Sequence, residues 1–217
     1  LFLIGGFLVM WMAAGFAMLE SGLVTSKSVA TIAAKNIGLY SIAGLMFWLV
    51  GYNLAYGIPE GGFIGSFLPW SDASAVDTGY SDGSDWFFQM VFCATTCSIV
   101  SGTLAERIKI WPFFLFCAIL AGVIYPIEMG WQWGGGHLAA AGFSDFAGST
   151  LVHSAGAAAA LAGALLLGPR LGRFTDSGEA APMAPFASSS IPLATLGVFI
   201  LWMGWFGFNG GSQLAMG

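Results

Sequence analysis

Two ionisable side chains, Asp145 and His153, stand close together in an otherwise small and apolar stretch, WGGGHLAAAGFSDFAGSTLVH from Trp133 to His153. The residues after Asp145 stay uncharged through Gly168. This predicts one helix starting at Phe146, long enough to cross a bilayer and carrying His153 roughly 12 Å along its axis from Asp145. An imidazole at that depth is costly, so its default reading is functional, and with an unperturbed pKa of about 6.5 it is suited to accept or relay a proton. A carboxylate at a helix start also has a plainer use, capping free N–H groups, and His153 could serve as an interhelical hydrogen-bonding residue. Hydrolysis fits poorly, because the two groups fall about 80° apart around one helix and no nucleophile motif accompanies them. A metal site would lack ligands, so neither metal nor cofactor is expected.

The rest of the chain must therefore place this pair in a membrane. Of the 217 residues 57% are apolar and 8% charged, with a mean hydropathy of +0.82, more apolar surface than a soluble domain of this size can hide. Uncharged runs at Leu1–Leu19, Asn36–Ile58, Trp86–Ala105, Ile110–Ile127, Phe146–Gly168 and Ile191–Met216 predict about six transmembrane helices. The runs are continuous rather than alternating, which argues against a barrel. The fold class is all-α, a polytopic helix bundle, read as a single transmembrane domain over residues 1–217. The first run lacks a basic leader and is too long for a signal-peptide core. Pro112 and Pro126 lie near helix ends, where neither breaks the assignment.

Every Lys and Arg follows an odd-numbered helix: Lys27 and Lys35 the first, Arg107 and Lys109 the third, Arg170 and Arg173 the fifth. The positive-inside rule makes that side cytoplasmic and the N-terminus external, in a cell membrane. The opposite loop, Pro59–Asp85, carries Glu60, Asp72, Asp77, Asp82 and Asp85, and reads as a solvated acidic surface able to enrich cations. Lys35 is expected to snorkel to the interface, Glu20 to be structural, and Gln89 and Asn209 to tie helices together. His137 is expected to be solvated or locally hydrogen-bonded. Cys93, Cys97 and Cys117 are expected to be packed free thiols. Gly156, Ala160, Ala164 and Gly168 form a small-residue seam along helix five, and Ser149, Thr150, Gly156 and Ala157 leave room beside His153.

Several longer motifs resemble the ammonium transporters (Amt/Mep/Rh), in that family's order: GFAMLESGLVTSKS (Gly15–Ser28), FFQMVF (Phe87–Phe92), SGTLAERIK (Ser101–Lys109), WGGG (Trp133–Gly136), DFAGSTLVH (Asp145–His153), LLLGPRLGRF (Leu165–Phe174) and GWFGFNGGS (Gly204–Ser212). Ser28 stands where the family commonly has Asn. The resemblance implies a fold of eleven helices in two inverted repeats, of which this chain matches the first repeat and the first helix of the second, with the second pore histidine outside it. It implies an outer recruitment site of Trp133, Phe92 and Ser212, a gate of stacked Phe92 and Phe208, Asp145 as support and His153 lining the pore. Taken singly, the phenylalanines read as packing and Trp133 as an interfacial residue.

The implied function is transport of ammonium or ammonia, with methylammonium as a substrate analogue, and not catalysis. Ammonium offers four N–H donors, which an aromatic cage can hold at roughly 2 kcal/mol when desolvated and a hydroxyl can accept. A charged ion in an apolar lumen meets a large desolvation barrier, so deprotonation at the mouth and passage of neutral ammonia is physically sensible. An ammonium sensor with a cytoplasmic output domain is the alternative. The resemblance also implies the lipid bilayer as solvent, a homotrimer, and a PII-type regulator or fused signalling domain. Nothing points to nucleic acid.

Overall fold

The computed structural model describes residues 1–71, 80–175, 177–182 and 186–214; Asp72, Asp77 and Met216, named above, lie outside the described residues. The elements run α1 (Phe2–Leu23), α2 (Val29–Met46), α3 (Tyr52–Tyr56), α4 (Asp82–Thr103), α5 (Ile110–Ile119), α6 (Tyr125–Gly130), α7 (His137–Ala140), α8 (His153–Leu167) and α9 (Ile191–Gly211). Single π turns at Phe47–Gly51 and Leu120–Ile124 join α2 to α3 and α5 to α6, making two long helices. Among the described residues, the segments at Phe2–Leu23, Ser26–Tyr56, Ile110–Gly130 and Ile191–Gly211 are long and apolar enough to span, α4, at 22 residues, matches them in length, and α8 is a shorter apolar helix of 15 residues.

The two π turns pack on each other, and glycine permits the approach. A Cβ on Gly51 would lie 3.1 Å from the Ala121 carbonyl, and one on Gly122 would lie 2.7 Å from Met46 Cε. The second turn also accounts for Pro126 inside a continuing helix. Proline has no N–H to return to the preceding turn, and the wider π turn just before it absorbs the missing bond.

The closest helix pairing is α1 on α9, where backbones nearly touch. A Cβ on Gly22 would sit 2.4 Å from Ala194 N, one on Gly197 2.4 Å from Leu19 N, and one on Gly207 2.5 Å from Gly5 O. The small-residue seam read on helix five is used over half its length. Gly156 meets Ile99 and Ala160 is buried, whereas Gly168, at φ 69°, terminates α8. Against these shells α4 is the innermost helix. Two of its hydroxyls fold back on its own carbonyls, Thr95 to Val91 at 2.8 Å and Ser98 to Ala94 at 3.1 Å, so each is satisfied within the helix. The three cysteines are free and buried.

One expectation fails at the basic end. Lys35 does not reach an interface: it is 3% exposed inside the bundle, donating to Ser101 O at 2.7 Å and paired with Glu20 at 3.5 Å. Glu20 also accepts from Ser101 Oγ at 2.7 Å and Asn36 Nδ2 at 3.3 Å. Snorkelling fails because α2 carries Lys35 on its inward face, where a carboxylate, a carbonyl and the Phe113 ring surround the ammonium. Nearer the chain's basic loops, Glu106 adopts φ 60° and turns its carboxylate to the Thr25 N–H, the Thr25 and Ser28 hydroxyls and the Arg170 guanidinium, the last at 2.7 Å. Burial pushes this carboxyl up, but those donors outweigh it and hold the pKa at about 2.

Candidate functional site at the acidic-loop end

The site is built on a turn rather than on a helix start. Residues 146–152 are not α-helical, and α8 begins at His153 itself. The expected helix from Phe146 fails because the Asp145 carboxylate gathers four successive backbone N–H groups, from Gly148 at 2.8 Å, Ser149 at 3.1 Å, Thr150 at 2.8 Å and Leu151 at 2.8 Å. Gly148 takes φ 97°, which a side chain would resist, and a Cβ there would also meet Trp133 at 3.1 Å. Capping is thus Asp145's structural task, exercised on a tight nest of amides instead of on α8. Burial pushes its pKa up, and the four N–H bonds outweigh that and hold it below the usual carboxylate range.

The same turn aims the neighbouring rings. Trp133 Nε1–H donates to the Asp145 carbonyl at 2.8 Å. His153 Nδ1 lies 3.1 Å from the Gly148 carbonyl, so that nitrogen carries a proton, and in the neutral ring Nε2 is the acceptor. Phe92 of α4 stacks on Phe208 of α9 with centroids 4.2 Å apart, and Trp133 stands edge-on to Phe92 at 5.9 Å. On the other side of the stack, His153 meets Phe208 at 5.6 Å and Trp205 at 6.0 Å. All the residues singled out from sequence therefore converge: Trp133, Phe92 and Ser212 line one cavity of about 300 Å³, and the Phe92–Phe208 stack stands between it and His153. Ser212 Oγ gives its proton to the Phe208 carbonyl at 2.7 Å, leaving its lone pairs for a donor.

Other residues of this cavity are not legible from sequence as site residues. Phe2, Tyr52, Tyr56, Phe88, Gln89 and Asp85 line it too. Asp85 reads in the sequence as part of the solvated acidic loop, yet it sits in the first turn of α4, 8% exposed, accepting from the Tyr52 hydroxyl at 2.6 Å. Gln89 lies one turn from Asp85 on α4 and lines the same cavity, and Asn209 is exposed on α9. His137 is half-buried, its ring stacked on Phe63 at 4.2 Å and its Nδ1 without a hydrogen-bond partner among the described residues. The sequence does hold one signal for Asp85, an acid immediately before the apolar WFFQMVF run.

An aromatic cavity closed by a ring stack, with an imidazole behind it in a bundle of apolar helices, belongs to a multi-pass membrane protein. The chain belongs to the Ammonium Transporter Family, whose model matches residues 1–217. It is 42% identical to the ammonium transporter Amt2 of Archaeoglobus fulgidus over 98% of the chain and 47% of that protein. Among solved structures it is similar to a sensor Amt protein, at TM-score 0.92 and 38% identity over the whole chain and 54% of that structure. It is likewise similar to Mep2 of Candida albicans, at TM-score 0.83 and 28% identity over 98% of the chain and 47% of that structure. The chain spans about half the length of the curated relatives it matches.

Proposed function

We propose that these residues form one wall of an ammonium transport path. Ammonium is recruited between Trp133, Phe92 and Ser212, gives its proton to water at the mouth, and passes as ammonia behind the Phe92–Phe208 gate to His153. The observation that carries this reading is the order of groups along one line: cavity, stacked ring pair, and an imidazole whose Nε2 is an acceptor. Desolvating the ion costs more than aromatic and hydroxyl contacts return, which favours leaving the proton at the mouth. Asp145 supports the site through its turn and its negative potential, since four N–H groups already occupy its carboxylate. No covalent chemistry is involved, so the reading is transport and not catalysis.

The residues act as a single transmembrane domain in a cell membrane, with the basic loops cytoplasmic and the cavity facing out. Family resemblance supports assembly as a homotrimer and regulation by a PII-type protein or a fused signalling domain. The test is ammonium-evoked current from the full-length protein in proteoliposomes. His153→Ala should abolish it and Phe208→Ala should alter it, whereas full current in His153→Ala would overturn the reading. A sensor is the second reading, favoured by the likeness to the sensor Amt protein; methylammonium binding without current would select it.

A further inference from the structure

The acidic-loop cavity holds a charge that the recruitment site as described does not use. Asp85 reaches into it from the first turn of α4, 8% exposed, with Tyr52 Oη donating at 2.6 Å and Gln89 lining the cavity one turn along. The walls around it are aromatic rings and hydroxyls, and no Lys or Arg is among the described lining residues. The membrane-embedded Lys35 is committed to Glu20, and Arg170 to Glu106. A carboxylate buried without a countercharge either stays protonated or takes a cation from outside. The positive end of α4 favours the ionised form, and a carboxylate has acceptor positions beyond the one that Tyr52 fills.

We propose that Asp85 is a cation-coordinating residue of this cavity and sets its affinity for ammonium and methylammonium. This rests on the recruitment reading above and extends it: Trp133 and Phe92 supply ring faces, Ser212 a hydroxyl oxygen, and Asp85 a carboxylate that is ionised when the cation is bound. Asp145 cannot take that part, because its oxygens are occupied by backbone N–H groups. The cavity then prefers a small cation with several N–H donors over a neutral amine, and each added methyl group costs it a donor.

The test is equilibrium binding of radiolabelled methylammonium to the full-length protein in detergent, with ammonium-evoked current measured alongside. Asp85→Asn should weaken binding about tenfold, the scale of one lost charge-assisted hydrogen bond. Asp85→Glu, which keeps the charge, should recover most of it. Gln89→Lys, which tethers an ammonium one turn from Asp85, should abolish binding by occupying the carboxylate, and it decides the matter should Asp85→Asn fail to fold. Wild-type affinity in Asp85→Asn or Gln89→Lys, with Trp133→Ala still weakened, would overturn the proposal and leave the recruitment reading standing. Wild-type affinity in Trp133→Ala as well would overturn both. Binding lost in Asp85→Asn from a wild type that carries no current would uphold the proposal and select the sensor.

Discussion

Replacing Asp145 with Asn changes one atom type at the centre of the turn that aims both Trp133 and His153. The carboxylate accepts Gly148 and Ser149 on one oxygen and Thr150 and Leu151 on the other, at 2.8 to 3.1 Å. An amide retains one oxygen and turns an NH₂ group towards the other pair, so two N–H groups lose their acceptor, one of them in a buried residue, Gly148 or Leu151. At about 1–2 kcal/mol each, the turn is destabilised by about 2–4 kcal/mol. If it opens locally, amide protection within 148–151 falls roughly 30- to 900-fold, since about 1.36 kcal/mol is a factor of ten. Hydrogen exchange resolved to single residues on the full-length protein in lipid nanodiscs reads this directly, with amides in α9 as internal control. Because Trp133 Nε1–H bonds the Asp145 carbonyl, its indole resonance should shift in the same variant. Protection kept within about threefold at all four amides would refute the claim that this carboxylate builds the turn.

The Glu20–Lys35 pair should behave as a buried ion pair: Lys35→Met or Glu20→Gln alone lowers thermal stability by about 3–5 kcal/mol, and the double variant recovers most of it, measured as a double-mutant cycle on melting in detergent. Glu106 has a folded pKa of about 2, depressed from an ordinary 4.5, so its contribution is fully present above 4.5 and is lost as pH falls from there towards 2. Exchange at the Thr25 amide, which donates to Glu106, should rise across that window in wild type and be fast at neutral pH in Glu106→Gln.

The spanning helices are legible because each is written as a long uncharged run, and composition alone forces such runs into a bilayer. Convergence of Trp133, Phe92, Phe208, Ser212 and His153 is legible only as motif order, since nothing in spacing brings residue 92 to residue 208. The rule that an acid before an apolar run caps a helix misleads here. Asp145 does cap, but the glycine at 148 lets the chain coil into a nest before α8 can start. Lys35 misleads for a related reason: hydropathy counts a charge as an edge, and cannot see that Glu20, on another helix, meets it indoors. The π turns leave no periodic trace, because one extra residue in a run of apolar side chains changes no hydropathy.

Those extra residues carry a consequence for how the cavity is inherited. A π turn advances the chain by one residue more than an α turn, so all that follows is rotated by about 100° relative to an uninterrupted helix. Tyr52 and Tyr56 come directly after the first such turn, and their presence on the cavity wall depends on that rotation. Losing any one residue between Phe47 and Gly51 would swing Tyr52 off Asp85 while leaving every remaining side chain unaltered. The polar wall of the cavity is in that sense stored as a length, protected against substitution and exposed to a single-codon deletion.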